Sequence, residues 1–211
     1  MGDIKIPHVV QRAHEVFTMV SAPTTLSIKR SPVVSSPVLG MLIFILTEIM
    51  VFASFISAFN IIKSGFNNWP PLGQPRLPVE ITAFNSLFLI ASGWLIYLAY
   101  KCFGKGEPNS KVKKYFLWAL FSGLLFVLLQ GMEWGRLIGY GLTMTSSVYG
   151  SFFYLIIGTH ALHVLGAIIG LVLVYRRLVC GSLKTETFAA MQAFWFFVVA
   201  LWPVLYVLVY L

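Results

Sequence analysis

Three ionisable side chains stand where the sequence around them is otherwise apolar: Glu48 in GMLIFILTEIMVFASFISAFN, and His160 and His163 in GTHALHVLG. A carboxyl group and an imidazole can share a proton, pass it on, or ligate a metal. His160 and His163 are one helical turn apart, so they occupy neighbouring parts of one helix face. A transition metal or haem would need further ligands, and the apolar stretches offer only Glu48 in addition, so neither a metal centre nor a catalytic set is expected here. An ionised carboxylate at such depth costs about 2.5 to 3.5 kcal/mol on the insertion scale, so Glu48 must face a partner helix, a bound lipid or a water-filled passage. Two readings stay open: a protonated acid inside the bundle, with the neutral pair His160 and His163 hydrogen-bonded to Glu48 or to backbone as part of packing, and a functional role for these groups within the membrane.

The elements that position these residues are membrane spans. Of 211 residues, 58% are apolar and 10% charged, and the mean hydropathy is +0.84, too little polar surface to cover a soluble globule. The apolar residues fall into five long runs, at about 40–62, 79–100, 113–134, 147–175 and 189–211, each long enough to cross a bilayer. The fold class is therefore all-α, a polytopic bundle of five transmembrane helices over residues 39–211. Residues 1–38 form a cytoplasmic or interfacial leader, punctuated by Pro7, Pro23, Pro32 and Pro37, with Val9, Val10, Ala13, Phe17 and Val20 at helical spacing and His8 and His14 facing solvent. It has no uninterrupted apolar core of a secretory signal, and none is expected to be cleaved.

Charge sets the orientation. Twelve of the 15 Lys and Arg residues lie in the leader and in the second and fourth loops, against Lys63, Arg76 and Arg136 on the other side. This bias places the N-terminus in the cytoplasm and the C-terminus outside. The net charge of +8 thus reflects topology, and no nucleic-acid partner is expected. Cys102 and Cys180 both fall on the reducing side, where a structural disulfide is not expected.

The loop after the first span, NNWPPLGQPRLPVE, is stiff because each proline fixes φ and biases its predecessor away from helix. In it Trp69 suits the outer interface, and Arg76 can pair with Glu80 or a lipid phosphate. Thr82, Asn85, Ser86 and Gly93 trace one side of the second span as a packing seam. Gln130 and Glu133 end the third span near the outer head groups, Glu133 as a hydrated carboxylate. Gly131 and Gly135, then Gly166 and Gly170, repeat every four residues, a spacing that marks close helix approach.

Five features now stand in order: LTEIMVF around Glu48, the loop WPPLGQPRLPVE, Gln130-Gly131-Met132-Glu133-Trp134, Ser146-Ser147-Val148-Tyr149-Gly150-Ser151, and Gly158-Thr159-His160-Ala161-Leu162-His163-Val164. Their order and spacing from residue 40 onward resemble subunit III of the haem-copper respiratory oxidases, cytochrome c or quinol oxidases, in the short five-helix bacterial form. One departure is visible. Where the family's final helix usually reads Trp-His-Phe-Val-Asp-Val-Val-Trp, this chain has Phe196 and Val199 in place of the His and the Asp.

The resemblance implies a subunit without redox centres, multi-pass in the bacterial plasma (inner) membrane, docked on the catalytic subunit I and associated with subunit II and membrane lipids. Haem and copper would reside in the partner subunits, with no cofactor in this chain beyond structural phospholipid. It further implies a role in aerobic respiration and proton translocation, through bound lipid, oxygen access and sustained proton uptake, with Glu48, His160 and His163 lining the lipid-filled or oxygen-accessible interior. The electron donor would be read by other subunits. Alternatives are the homologous subunit of a nitric oxide reductase and, from physics alone, a small transporter relaying protons through Glu48, His160 and His163.

Overall fold

The computed structural model of the chain describes residues 35–67, 69, 77 and 79–210. Residues 1–34 of the leader, with its expected interfacial helix and its two histidines, and the loop segment from Pro70 to Arg76 lie outside these residues, while Ser36, Pro37 and Val38, expected in the leader, already belong to the first helix. Within them are five helices long and apolar enough to cross a membrane: α1 (Ser36–Ser64), α2 (Val79–Gly104), α3 (Asn109–Gly139), α4 (Val148–Val179) and α5 (Thr185–Leu205), the last continued by a π-helical turn over Tyr206–Tyr210. Among the described residues there is no strand.

Several helices overrun the apolar runs that specify them. α2 continues through Lys101 to Gly104, and α3 begins at Asn109, ahead of three lysines. Backbone hydrogen bonding does not stop at the hydrocarbon edge, and lysine favours helix, so basic residues extend the spans and the turn between them shrinks. Three exits use one device. Gly106, Gly141 and Gly181 take φ of 67°, 88° and 69°, a left-handed backbone that only glycine reaches without strain. Behind the latter two, the Leu142 amide donates to the Leu137 carbonyl and the Ser182 amide to the Arg177 carbonyl, both at 3.0 Å. Such tight turns leave consecutive helices antiparallel and adjacent.

The Ser-Ser-x-x-Gly-Ser motif builds the entry to α4. The Gly150 amide donates to the Ser147 hydroxyl, capping the helix, while Ser151 Oγ donates to the Met144 carbonyl at 2.6 Å. A Cβ on Gly150 would collide with the Thr143 carbonyl, so the loop folds this closely only over glycine.

α5 packs against α1, α2 and α4, and α3 bridges α2 and α4. α5 is consequently the most internal span, burying Phe188, Trp195, Val198 and Trp202, whereas α1 buries only Phe52 and Phe59. α1 therefore turns Leu42, Ile43, Leu46 and Met50 outward, which costs nothing where the surroundings are acyl chains. Pro203 in α5 lacks an N–H and crowds the turn before it; α5 ends two residues later, at Leu205, and the π turn begins directly at Tyr206. That turn brings Tyr206 and Tyr210 into a stack, ring centroids 5.6 Å apart.

Candidate functional site

Glu48 and His163 meet where α1 lies along α4. His163 Nε2 is 2.9 Å from Glu48 Oε2, and His163 Nδ1 is 2.8 Å from the Thr159 carbonyl. A carbonyl can only accept, so Nδ1 carries a hydrogen and donates it. Nε2 is then free to act either way toward Glu48. Either the protonated acid donates to a bare Nε2, or the proton has crossed and an imidazolium donates to a carboxylate. Both forms are neutral as a pair, so the proton can change owner without placing net charge in the membrane. The two side chains are about one sixth exposed, open on one side rather than sealed. The edge of Phe52, ring centroid 5.4 Å from that of His163, limits the space around the pair.

His160 is not part of this pair. It is 1% exposed, and neither of its ring nitrogens has a hydrogen-bond partner. Its ring stacks on Trp202 instead, centroids 5.3 Å apart and planes inclined by 25°. One helical turn sends the two imidazoles to different neighbours: His163 toward α1, His160 toward α5 and α3.

A second polar network, built on the α2 seam, was only partly visible in the sequence. Asn85 Nδ2 donates to Gln130 Oε1 at 3.2 Å, and Gln130 Nε2 donates to the Tyr210 hydroxyl at 3.0 Å. Trp202 Nε1 donates to Ser86 Oγ at 2.7 Å, and Ser86 Oγ donates onward to the Thr82 carbonyl. The Trp134 indole N–H and the Thr82 hydroxyl lie close to the Tyr210 hydroxyl without closing a hydrogen bond to it. Gln130 is thus a buried bridge between α2 and the end of the chain, not a head-group contact as its position suggested, because its side of α3 faces α2. Tyr210 and Trp202 gave no local sequence signal, being aromatic residues in an apolar run.

Comparison with known proteins matches residues 5–211 to the family model described as Cytochrome c oxidase subunit III. The chain belongs to the cytochrome c oxidase subunit III family. It is 30% identical over 176 residues to cytochrome c oxidase subunit 3 of Synechocystis sp., covering 82% of this chain and 74% of that one. To the probable cytochrome c oxidase subunit 3 of Nocardia farcinica it is 32% identical over 180 residues, 81% of this chain and 85% of the other. The insect protein of that name from Aedes aegypti is 32% identical over 181 residues, 81% and 67% of the two chains.

The remaining sequence candidates take these places. Trp69 is half-buried against Phe59 and Tyr149, with centroids 5.5 and 5.3 Å away, so it ties the end of α1 to the start of α4. Glu80 is exposed in the first turn of α2, and Arg76, its expected partner, lies outside the described residues. Glu133 is buried rather than hydrated. Arg136, three residues on, reaches back to it with Nη1 2.6 Å from Oε1, so a half-exposed guanidinium neutralises the carboxylate from the surface.

The glycine expectations need correction. A Cβ on Gly131, Gly135 or Gly166 would meet nothing within 4 Å, because those glycines face outward from this chain. Of the four, only Gly170 sits at a close approach, where an added Cβ would come within 2.6 Å of Met191 Sδ; other tight sites are Gly123, where it would come within 3.0 Å of the Trp195 ring, and Gly93, where it would come within 3.3 Å of Val199. Val199 thus packs closely against Gly93. It lines an open groove with Phe196, Trp94 and Tyr97. Among the described residues no three His, Cys, Asp or Glu side chains converge as a metal site would require.

Proposed function

We propose that this chain is the accessory subunit III of a haem-copper terminal oxidase, docked on the catalytic subunit I in the bacterial plasma membrane and contributing no redox centre of its own. Family membership supports the oxidase context, and the Glu48–His163 bond carries the reading of what the subunit does there. A carboxyl–imidazole pair that exchanges a proton without changing its net charge is suited to accept protons and release them toward a neighbouring uptake route, so that turnover is sustained. Its open side, at the sparsely packed contact between α1 and α4, is where phospholipid and dissolved oxygen would have access. The basic loops hold the N-terminus in the cytoplasm and bind anionic head groups.

Affinity purification of this chain in mild detergent tests the assignment. Haem absorbance is expected in the complex and not in the separated chain. Purification without any haem protein would overturn it.

A further inference from the structure

Between α3 and α4 a crevice of about 160 Å³ runs inward from a rim that includes Gly131 and Leu165 to a floor formed by Phe126, Trp134, His160 and Trp202. The rim is open: Gly131 is exposed and Leu165 is 44% exposed. The floor holds an anomaly. His160 is buried with both ring nitrogens unpartnered, and a buried polar group in that condition ordinarily has a partner supplied by protein, water or ligand. No residue that lines the crevice carries a formal charge.

We propose that this crevice binds the ring of a membrane-dissolved phenol or quinone, whose oxygen hydrogen-bonds to His160. Size supports the ring: apolar cavities of about 150 Å³ take a benzene-sized molecule. Chemistry supports the oxygen. A neutral imidazole has one N–H and one bare nitrogen, so it donates to a ring carbonyl and accepts from a ring hydroxyl, and both forms of such a ring can be held. The walls support an aromatic occupant, because Trp134, Trp202 and Phe126 offer faces and edges for ring packing. Water fits less well. It needs two to four polar partners, while Gln130 is already bonded to Asn85 and Tyr210, so that besides His160 only the Trp134 N–H is left unpartnered on an otherwise apolar lining. An anionic head group fits less well still, with no cation on the lining. The pocket is separate from the Glu48–His163 pair and does not depend on its role.

The probe is a photoreactive azido-1,4-naphthoquinone, applied to the full chain in the complex with which it purifies and mapped by peptide sequencing. Labelling is expected on α3 and α4 peptides near Gln130–Trp134 and His160–Leu165, and to be displaced by 1,4-naphthoquinone and 1-naphthol. His160→Phe, which keeps the stack on Trp202 but removes the hydrogen bond, should weaken displacement about tenfold, the equivalent of one hydrogen bond to a buried group. Gly131→Leu should block the rim and abolish labelling while leaving His160 in place, since a side chain there meets nothing in this chain. Retention of each variant in the complex shows that it has folded. Displacement by naphthalene as strong as by naphthoquinone would mean an apolar void without a recognised oxygen, and overturns the proposal. So does labelling unchanged in both variants, or no labelling of these peptides.

Discussion

Glu48 Oε2 and His163 Nε2 lie 2.9 Å apart, joining residues 115 positions distant in the chain, and the bond of Nδ1 to the Thr159 carbonyl leaves a single proton between them. Substitutions at Glu48 should therefore divide by whether they keep a donor. Glu48→Gln donates an amide N–H to Nε2, keeps the shape and removes the transferable proton. Glu48→Leu strands Nε2 at a cost of about 1 to 3 kcal/mol. Denaturant unfolding should show Leu well below Gln in stability. Time courses of oxygen consumption from weakly acid to weakly alkaline pH should show normal initial turnover for Gln, with an altered pH profile of sustained activity. Traces of both variants overlaying wild type would reduce the pair to packing.

The tight glycines and the open ones should separate cleanly. Gly123→Ala presses a methyl group against the rigid Trp195 ring and is expected to destabilise by about 1 to 3 kcal/mol. Gly170→Ala meets the flexible end of Met191, which can move, and should cost less. Gly166→Ala meets nothing and gains helix propensity, so it should be neutral or stabilising by up to about 1 kcal/mol. Unfolding of the three variants in one detergent gives the order directly.

The Asn85–Gln130–Tyr210 chain should behave as a unit. Asn85→Leu or Gln130→Leu alone leaves a buried partner unsatisfied, at about 1 to 3 kcal/mol each. The double variant should cost less than the sum, because each change also removes a group that the other strands. A double-mutant cycle that closes additively would show that the bonds contribute independently.

Orientation is tested at the two cysteines. Cys180 is exposed and Cys102 half-buried, both at the end of the bundle that carries the basic turns. Membrane-impermeant thiol reagents should label Cys180, and Cys102 more slowly, only after the inner face is opened. Labelling in intact cells would reverse the topology.

The helix count, the membrane environment and the family order of motifs were all legible along the chain, because hydropathy and the length needed to cross a bilayer are local properties. So were Glu48 and His163 as unusual residues. Helical periodicity also put His160 beside His163, but it could not say that one turn would face them to different helices, one to a carboxyl group and the other to Trp202 and an open crevice. The glycine spacing failed for the same reason: a four-residue repeat marks a face, and only the placement of neighbouring helices decides whether that face is covered, as at Gly170, or bare, as at Gly131 and Gly166. Glu133 read as a surface carboxylate by its distance from the span centre, yet lateral packing buries it and Arg136 neutralises it. Position across the membrane is thus written in composition, whereas position around each helix axis is decided by tertiary contacts, since in an apolar solvent hydrophobicity no longer distinguishes the inside of the bundle from the outside.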